Sequence, residues 1–196
     1  MGGISAGDVR RWAPIAVALA FLWAAWRDVE SCGQVQANAV YLEQALVLVA
    51  VVAGAVVDAR CRIIPNAVPV AVVVVHALFL FLQAIAGTEN VAALAWQSMA
   101  GAVVLGGGLL AFTLAYEALA APGALGGGDL KLVAALGFAF GWERGLAILL
   151  AACVAFALQV AVAAVVARLR GLPPDHTGPF CPAIAAGVFL VPLVFP

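Results

Sequence analysis

The sequence predicts an all-α protein, a polytopic transmembrane helix bundle of about seven helices, and three observations lead there. Hydrophobic residues make up 66% of the 196-residue chain and charged residues only 10%, against about 25% charged in an ordinary soluble domain. The apolar residues fall in continuous runs of Ala, Leu, Val and Gly, on the scale of the roughly 20 residues a helix needs to cross a bilayer. Nor do they alternate, as the strands of a membrane barrel do over about 10 residues.

In chain order the expected spans run from about Ala13 to Trp26, Tyr41 to Val57, Ala67 to Ala86, Gln97 to Leu119, Asp129 to Gly141, Gly145 to Ala167 and Phe180 to Phe195. The first follows Arg10-Arg11, and within it Ala18-Leu19-Ala20 has the small-residue pattern of a signal-peptide cleavage site. Cleavage there would leave an apolar core too short for a signal peptide, so an uncleaved helix is expected. Pro65-Asn66 reads as the turn into the third span. The fifth span is short, so it either tilts within a thinned bilayer or only dips in, which leaves six crossings. Trp142-Glu143-Arg144 reads as the loop before the sixth, and the polar stretch Arg168 to Gly178 as the loop before the last.

Charge sets the orientation. Arg10, Arg11, Arg60, Arg62, Lys131, Arg168 and Arg170 fall on one side of these spans, and Asp28, Glu30, Glu89 and Glu143 on the other, with Arg27 and Arg144 the basic exceptions there. By the positive-inside rule the first side, with the N-terminus, is cytoplasmic. Asp58, Asp129 and the loop Leu172 to Thr177 lie on that face. The formal net charge of −1 gives no reason to expect a nucleic-acid partner. The four cysteines, Cys32, Cys61, Cys153 and Cys181, are scattered without a C-x-x-C pair, so no zinc site is expected.

Two aspartates stand out. Asp58 closes a helix of almost unbroken Val, Ala, Leu and Gly, at the end where the macrodipole disfavours an anion. It is either an interfacial Asp paired with Arg60 or Arg62, or a functional carboxylate at the membrane face. Asp129 follows Gly126-Gly127-Gly128. It is either a helix N-cap on a flexible loop, or a functional group in a loop whose glycines let another backbone come close. The G-x-x-x-x-G-K-[ST] spacing of a phosphate loop is missing. Lys131 reads as an interfacial anchor. His76, within a Val-rich span, reads as a helix-packing polar residue; neither it nor His176 has the spacing of a nucleophile triad or zinc helix. Glu117, near the inner end of the fourth span, is the rival acid. Gly101, Gly106, Gly107 and Gly108 permit close helix approach.

Taken together, Asp58 and Asp129 suit a shared-proton pair. Two carboxylates brought close in a low-dielectric site cannot both ionise cheaply. The charged one can activate water while the protonated one polarises a peptide carbonyl, chemistry that uses no metal or cofactor. A small ion-coupled transporter subunit would also carry membrane carboxylates, but nearer mid-bilayer and often between repeats, of which none is visible. A non-catalytic membrane assembly protein remains the third reading.

At these residues the chain resembles the type IV prepilin peptidases, in particular the short forms of tight-adherence pili, within the G-x-G-D class of membrane aspartyl proteases. The similar segments are Asp58-Ala59-Arg60-Cys61-Arg62-Ile63-Ile64-Pro65-Asn66; Gly126-Gly127-Gly128-Asp129-Leu130-Lys131-Leu132 with Ala134-Ala135-Leu136-Gly137; and Pro179-Phe180-Cys181-Pro182 through Gly187. The family usually has Gly where this chain has Cys181, which bears on the local backbone there. The resemblance covers about Val47 to Val191. It implies catalysis by Asp58 and Asp129, supported by Gly126, Gly128, Lys131, Pro65, Asn66, Pro179 and Phe180. It also implies a pilin-like precursor as partner, cut after a leader Gly at the cytoplasmic face of the plasma membrane. The paired C-x-x-C motifs of the family's long, methylating forms are absent, so peptidase without methyltransferase activity is expected. Residues 1–40 are expected to be an accessory helix with its outer loop, and 41–196 the peptidase core.

Overall fold

The computed structural model describes residues 35–87, 90–119, 126–170 and 178–194. Their regular elements are all helices: α1 (Val35–Cys61), α2 (Ala67–Ile85), α3 (Val91–Gly101), α4 (Gly108–Leu119), α5 (Gly127–Leu169) and α6 (Cys181–Val194). A π-helical stretch, Ala102–Gly107, joins α3 to α4. Val40–Cys61, Ala67–Ile85, Val91–Leu119 and Gly127–Leu169 are each long and apolar enough to cross a membrane. The class is thus an all-α membrane bundle. The first expected span, 13–26, His176 and most of the loop before α6 lie outside the described residues.

The element count differs from the expectation at two places: the π-helical stretch divides the fourth span into α3 and α4, and the next two spans are joined. The fifth and sixth spans are a single element, α5, of 43 residues. Straight, it would measure about 65 Å, twice the hydrocarbon thickness. Gly141, at φ 73° and ψ 179°, turns it back on itself. A Cβ added to Gly145 would stand 3.4 Å from the Cα of Gly137, whereas residues eight apart in a straight helix are about 12 Å apart. Trp142, Glu143 and Arg144, expected as a loop, are helical. One residue with a left-handed backbone, which glycine adopts without strain, suffices for the reversal.

The rest of the bundle is antiparallel between chain neighbours. Gly54 meets Val68 while Glu43 meets His76, so α1 and α2 run in opposite directions. Gln97 faces Gly141, Gly101 faces Gly137 and Gly106 faces Ala134, so α3 runs against the first arm of α5. Gly187 meets Ile148 while Phe180 meets Phe156, so α6 runs against the second arm. The α3–α5 crossing is the closest, with the Gly101 and Gly137 backbones in direct contact, the small-residue packing that substitutes for hydrophobic drive in lipid.

Val51, Val72, Leu132, Ile148, Ala152, Cys181 and Ile184 form the centre, drawn from α1, α2, both arms of α5, and α6. In α4 no residue is buried: past the π stretch that helix presents Phe112, Leu114 and Leu119 outward. A π turn adds a residue to the helical register, so the face that packs before it is rotated away after it.

Candidate active site

The antiparallel order brings the C-terminal end of α1, the start of α2, the N-terminus of α5, the C-terminus of α5 and the N-terminus of α6 to one end of the bundle. Asp58 and Asp129 are both there, on residues 71 positions apart in sequence. The Asp58 charge acts on Asp129, and both carboxylates act on the Cys181 thiol. Glu117, the rival, lies on α4, where nothing is buried.

Asp58 is buried, at 6% exposure. It does not end α1, which continues to Cys61. Arg62 then takes a left-handed backbone (φ 54°), and its N–H donates to the Asp58 carbonyl at 2.8 Å, closing the helix in the manner of a C-terminal αL cap. The unfavourable dipole of α1 at this carboxylate is met by a favourable one. The N-terminus of α6 faces it, and the backbone N–H of Cys181 donates to Asp58 Oδ2 at 3.0 Å.

Asp129 is half-buried in the first turn of α5. The N-cap, however, is Gly126, which corrects the reading of Asp129 as a cap. Its carboxylate reaches back to the Gly126 backbone while its own N–H donates to the Gly126 carbonyl at 3.0 Å, a reciprocal arrangement like the capping box. The three glycines are not equivalent. A Cβ on Gly126 would lie 2.9 Å from Asp129 Oδ2, and one on Gly128 3.0 Å from the Ile64 Cβ, while one on Gly127 would meet nothing within 4 Å. The G-x-G-D spacing thus marks two crowded positions around an open one.

The segment after Asp58 is docked against this loop. Ile64 is buried under Gly128, and Lys131 Nζ donates to Asn66 Oδ1 at 3.0 Å. Pro65 lies in the irregular stretch between α1 and α2. Of the expected supports, Asn66, Gly128 and Lys131 therefore tie the two aspartate segments together, while the Pro65 carbonyl accepts from the Val68 N–H at 3.0 Å at the start of α2. Pro179 and Phe180 are placed otherwise. The Pro179 carbonyl accepts from Gln159 Nε2 at 3.3 Å, and the Phe180 ring meets Phe156 edge-on at 5.3 Å, so both fasten the start of α6 to α5. The Cys181 side chain is fully buried, with Sγ 3.8 Å from the Val51 carbonyl. The cysteine is accommodated without displacing the N–H that faces Asp58.

The other end of the bundle holds a second polar cluster, about 20 Å away along α1. A cavity of about 400 Å³ there is lined by Glu43, Gln44, His76, Gln97, Ser98 and Trp142 among others. His76 Nδ1 is bonded to Glu43 Oε1, and Nε2 lies 2.7 Å from Ser98 Oγ. Ser98 spends its proton on the Leu94 carbonyl at 2.9 Å, so it accepts from His76 Nε2–H, and Glu43 and His76 Nδ1 share the remaining proton. The order carboxylate–His–Ser is that of a nucleophile triad, but the hydroxyl points away from the base. Ser98 also sits within α3, whose N–H groups serve the helix rather than an oxyanion. The cluster fastens α1, α2 and α3 together, with Phe138 of α5 edge-on to His76 at 5.0 Å. His76 was expected to be a packing residue and is one. Its partners were not legible, since residues on separate helices share no sequence spacing.

A helical membrane bundle with an acid pair at one end is the class that fold and site define. A family model described as the type IV leader peptidase family matches residues 45–161, and the chain belongs to that family of peptidases. No curated protein matched the chain. No solved structure matched it either. The matched segment contains both aspartates and ends before α6.

Proposed function

We propose that this peptidase is an aspartic endopeptidase in which Asp58 and Asp129 are the catalytic pair. Its substrate would be a pilin-like precursor with a short basic leader and an apolar helix, cut at the cytoplasmic face of the plasma membrane without methylation of the new N-terminus. The observation that carries the reading is the convergence of these two carboxylates, from distant segments, at one end of an apolar bundle. Arg60, Arg62, Lys131, Arg168 and Arg170 all belong to that end, which favours a cytoplasmic dyad.

Of the two carboxylates, the ionised one takes a proton from a water as its oxygen attacks the peptide carbonyl carbon. The protonated one gives its proton to the carbonyl oxygen. The tetrahedral gem-diol then collapses: the C–N bond breaks, the proton taken from water passes to the leaving nitrogen, and one hydroxyl proton of the diol returns to the carboxylate that had given its proton to the carbonyl oxygen. Low dielectric and a close pair keep one proton on the two groups. The precursor's apolar helix stays in the bilayer, and its leader reaches the dyad from the aqueous side.

The test is to incubate membranes carrying this protein with a tight-adherence prepilin and to weigh the product. Loss of the leader with an unmodified N-terminus is expected. No cleavage of any pilin-like precursor would overturn the substrate assignment, and a methylated product the single-activity assignment.

A further inference from the structure

Asp58 has an unusual neighbour. A carboxylate that is 6% exposed at the C-terminal end of its own helix needs a donor from elsewhere. That donor comes from α6. The Phe180 carbonyl accepts from the N–H groups of Ala183 and Ile184, at 3.0 and 3.1 Å, so Phe180 caps the helix and Cys181 is its first residue. The first N–H groups of a helix have no partner inside it. The Cys181 N–H is one of these, and it lies 3.0 Å from Asp58 Oδ2. Its side chain has a separate place, against the Val51 carbonyl and Gly54. The residue thus divides its work: backbone to the aspartate, thiol to the core.

We infer that the backbone N–H of Cys181 is a positioning donor for the acid pair: it holds Oδ2 of Asp58 and so leaves Oδ1 for water and for the proton shared with Asp129. This rests on the proposed function of the pair. A carboxylate with one oxygen held by a fixed donor cannot spin, so the reacting oxygen stays in register with Asp129. A donor of this kind also favours the charged form. Phe180 and Pro179, locked to Phe156 and Gln159, keep the donor in place.

The experiment deletes the N–H. One variant replaces the amide at position 181 with an ester, by incorporating an α-hydroxy acid. A second is Cys181→Pro, which lacks the N–H and suits the first position of a helix. Either should lower kcat about 10-fold to 100-fold, the loss seen when a group that orients a reacting residue is removed. KM should change little, and the acidic limb of the kcat profile should move to higher pH. Cys181→Ala keeps the N–H and removes the thiol, so its acidic limb should stay where the unaltered protein has it. The inference is overturned if the ester variant keeps both rate and pH limb, or if Cys181→Ala moves the limb as far as the ester does. The carbon-13 resonance of the Asp58 carboxyl gives a readout independent of cleavage. A shift in the ester variant supports the contact even if no precursor is cut, and an unmoved resonance refutes it even if one is. Failure of the peptidase reading and failure of this inference are thereby separate results.

Discussion

Gly101→Ala probes the packing that carries Asp129. A Cβ built on Gly101 would stand 2.1 Å from the Gly137 carbonyl oxygen and 2.7 Å from the Gly141 carbonyl carbon, where ordinary contact begins at 3.4 Å. Both obstacles are backbone, so no side-chain rotation relieves them. α3 and the first arm of α5 must part by about 1 Å. Overpacking typically costs about 1–3 kcal/mol, and the absence of a yielding side chain puts this case at about 3 kcal/mol. At about 2–4 °C per kcal/mol for a chain of this size, Tm should fall by about 6–12 °C. Gly108→Ala is the control, because its Cβ would meet nothing within 4 Å. It should leave Tm unchanged or raise it slightly, since alanine is the better helix former. Thermal unfolding of the purified proteins in one detergent, followed by tryptophan fluorescence, gives both numbers. Equal shifts in the two variants, or an unshifted Gly101→Ala, would refute the backbone contact between α3 and α5.

Further outcomes follow from the same geometry. Gly128→Ala should cut cleavage sharply by pushing Ile64 away from the Asp129 loop, whereas Gly127→Ala, with open space around it, should keep most of it; side-by-side rates on one precursor decide, and equal rates would contradict the crowding argument. His76→Phe should cost about 3–5 kcal/mol by leaving Glu43 buried without its partner, and Ser98→Ala only about 1 kcal/mol, as read by chemical denaturation. Cys61, three residues after Asp58, is exposed and Cys181 buried. With Cys32 and Cys153 replaced by serine, a membrane-impermeant maleimide should label Cys61 in inside-out vesicles and not in intact cells, and the reverse pattern would invert the proposed orientation.

Much of this architecture is legible in sequence because lipid imposes a plain rule: apolar runs become helices, and their ends are where charge collects. Five of the expected spans after the first reappear within a turn or two of their predicted bounds, and the sixth begins at Trp142 instead of after it. That error has a physical source. A reversal normally needs a loop, and Trp-Glu-Arg looks like one, but Gly141 alone can turn the chain through its positive φ. The two aspartates were legible as candidates because each lies near the end of an apolar run, Asp58 where its own helix's dipole disfavours an anion. Two things were not. The Cys181 contribution is a backbone N–H, which no side-chain pattern encodes. The Glu43–His76–Ser98 cluster depends on matched depth across three helices, which only the packed bundle supplies. Of the two readings of Asp129, helix cap or functional group, the first does not hold: the N-cap is Gly126, three residues earlier.

The central claim is that Asp58 and Asp129 together hydrolyse the precursor. The most direct measurement compares cleavage in membranes by the unaltered protein, Asp58→Asn and Asp129→Asn, each matched for folded amount. The account predicts cleavage by the first and none above background by either variant, since an amide can neither take water's proton nor share one with its neighbour. Near-normal cleavage by either variant would contradict it.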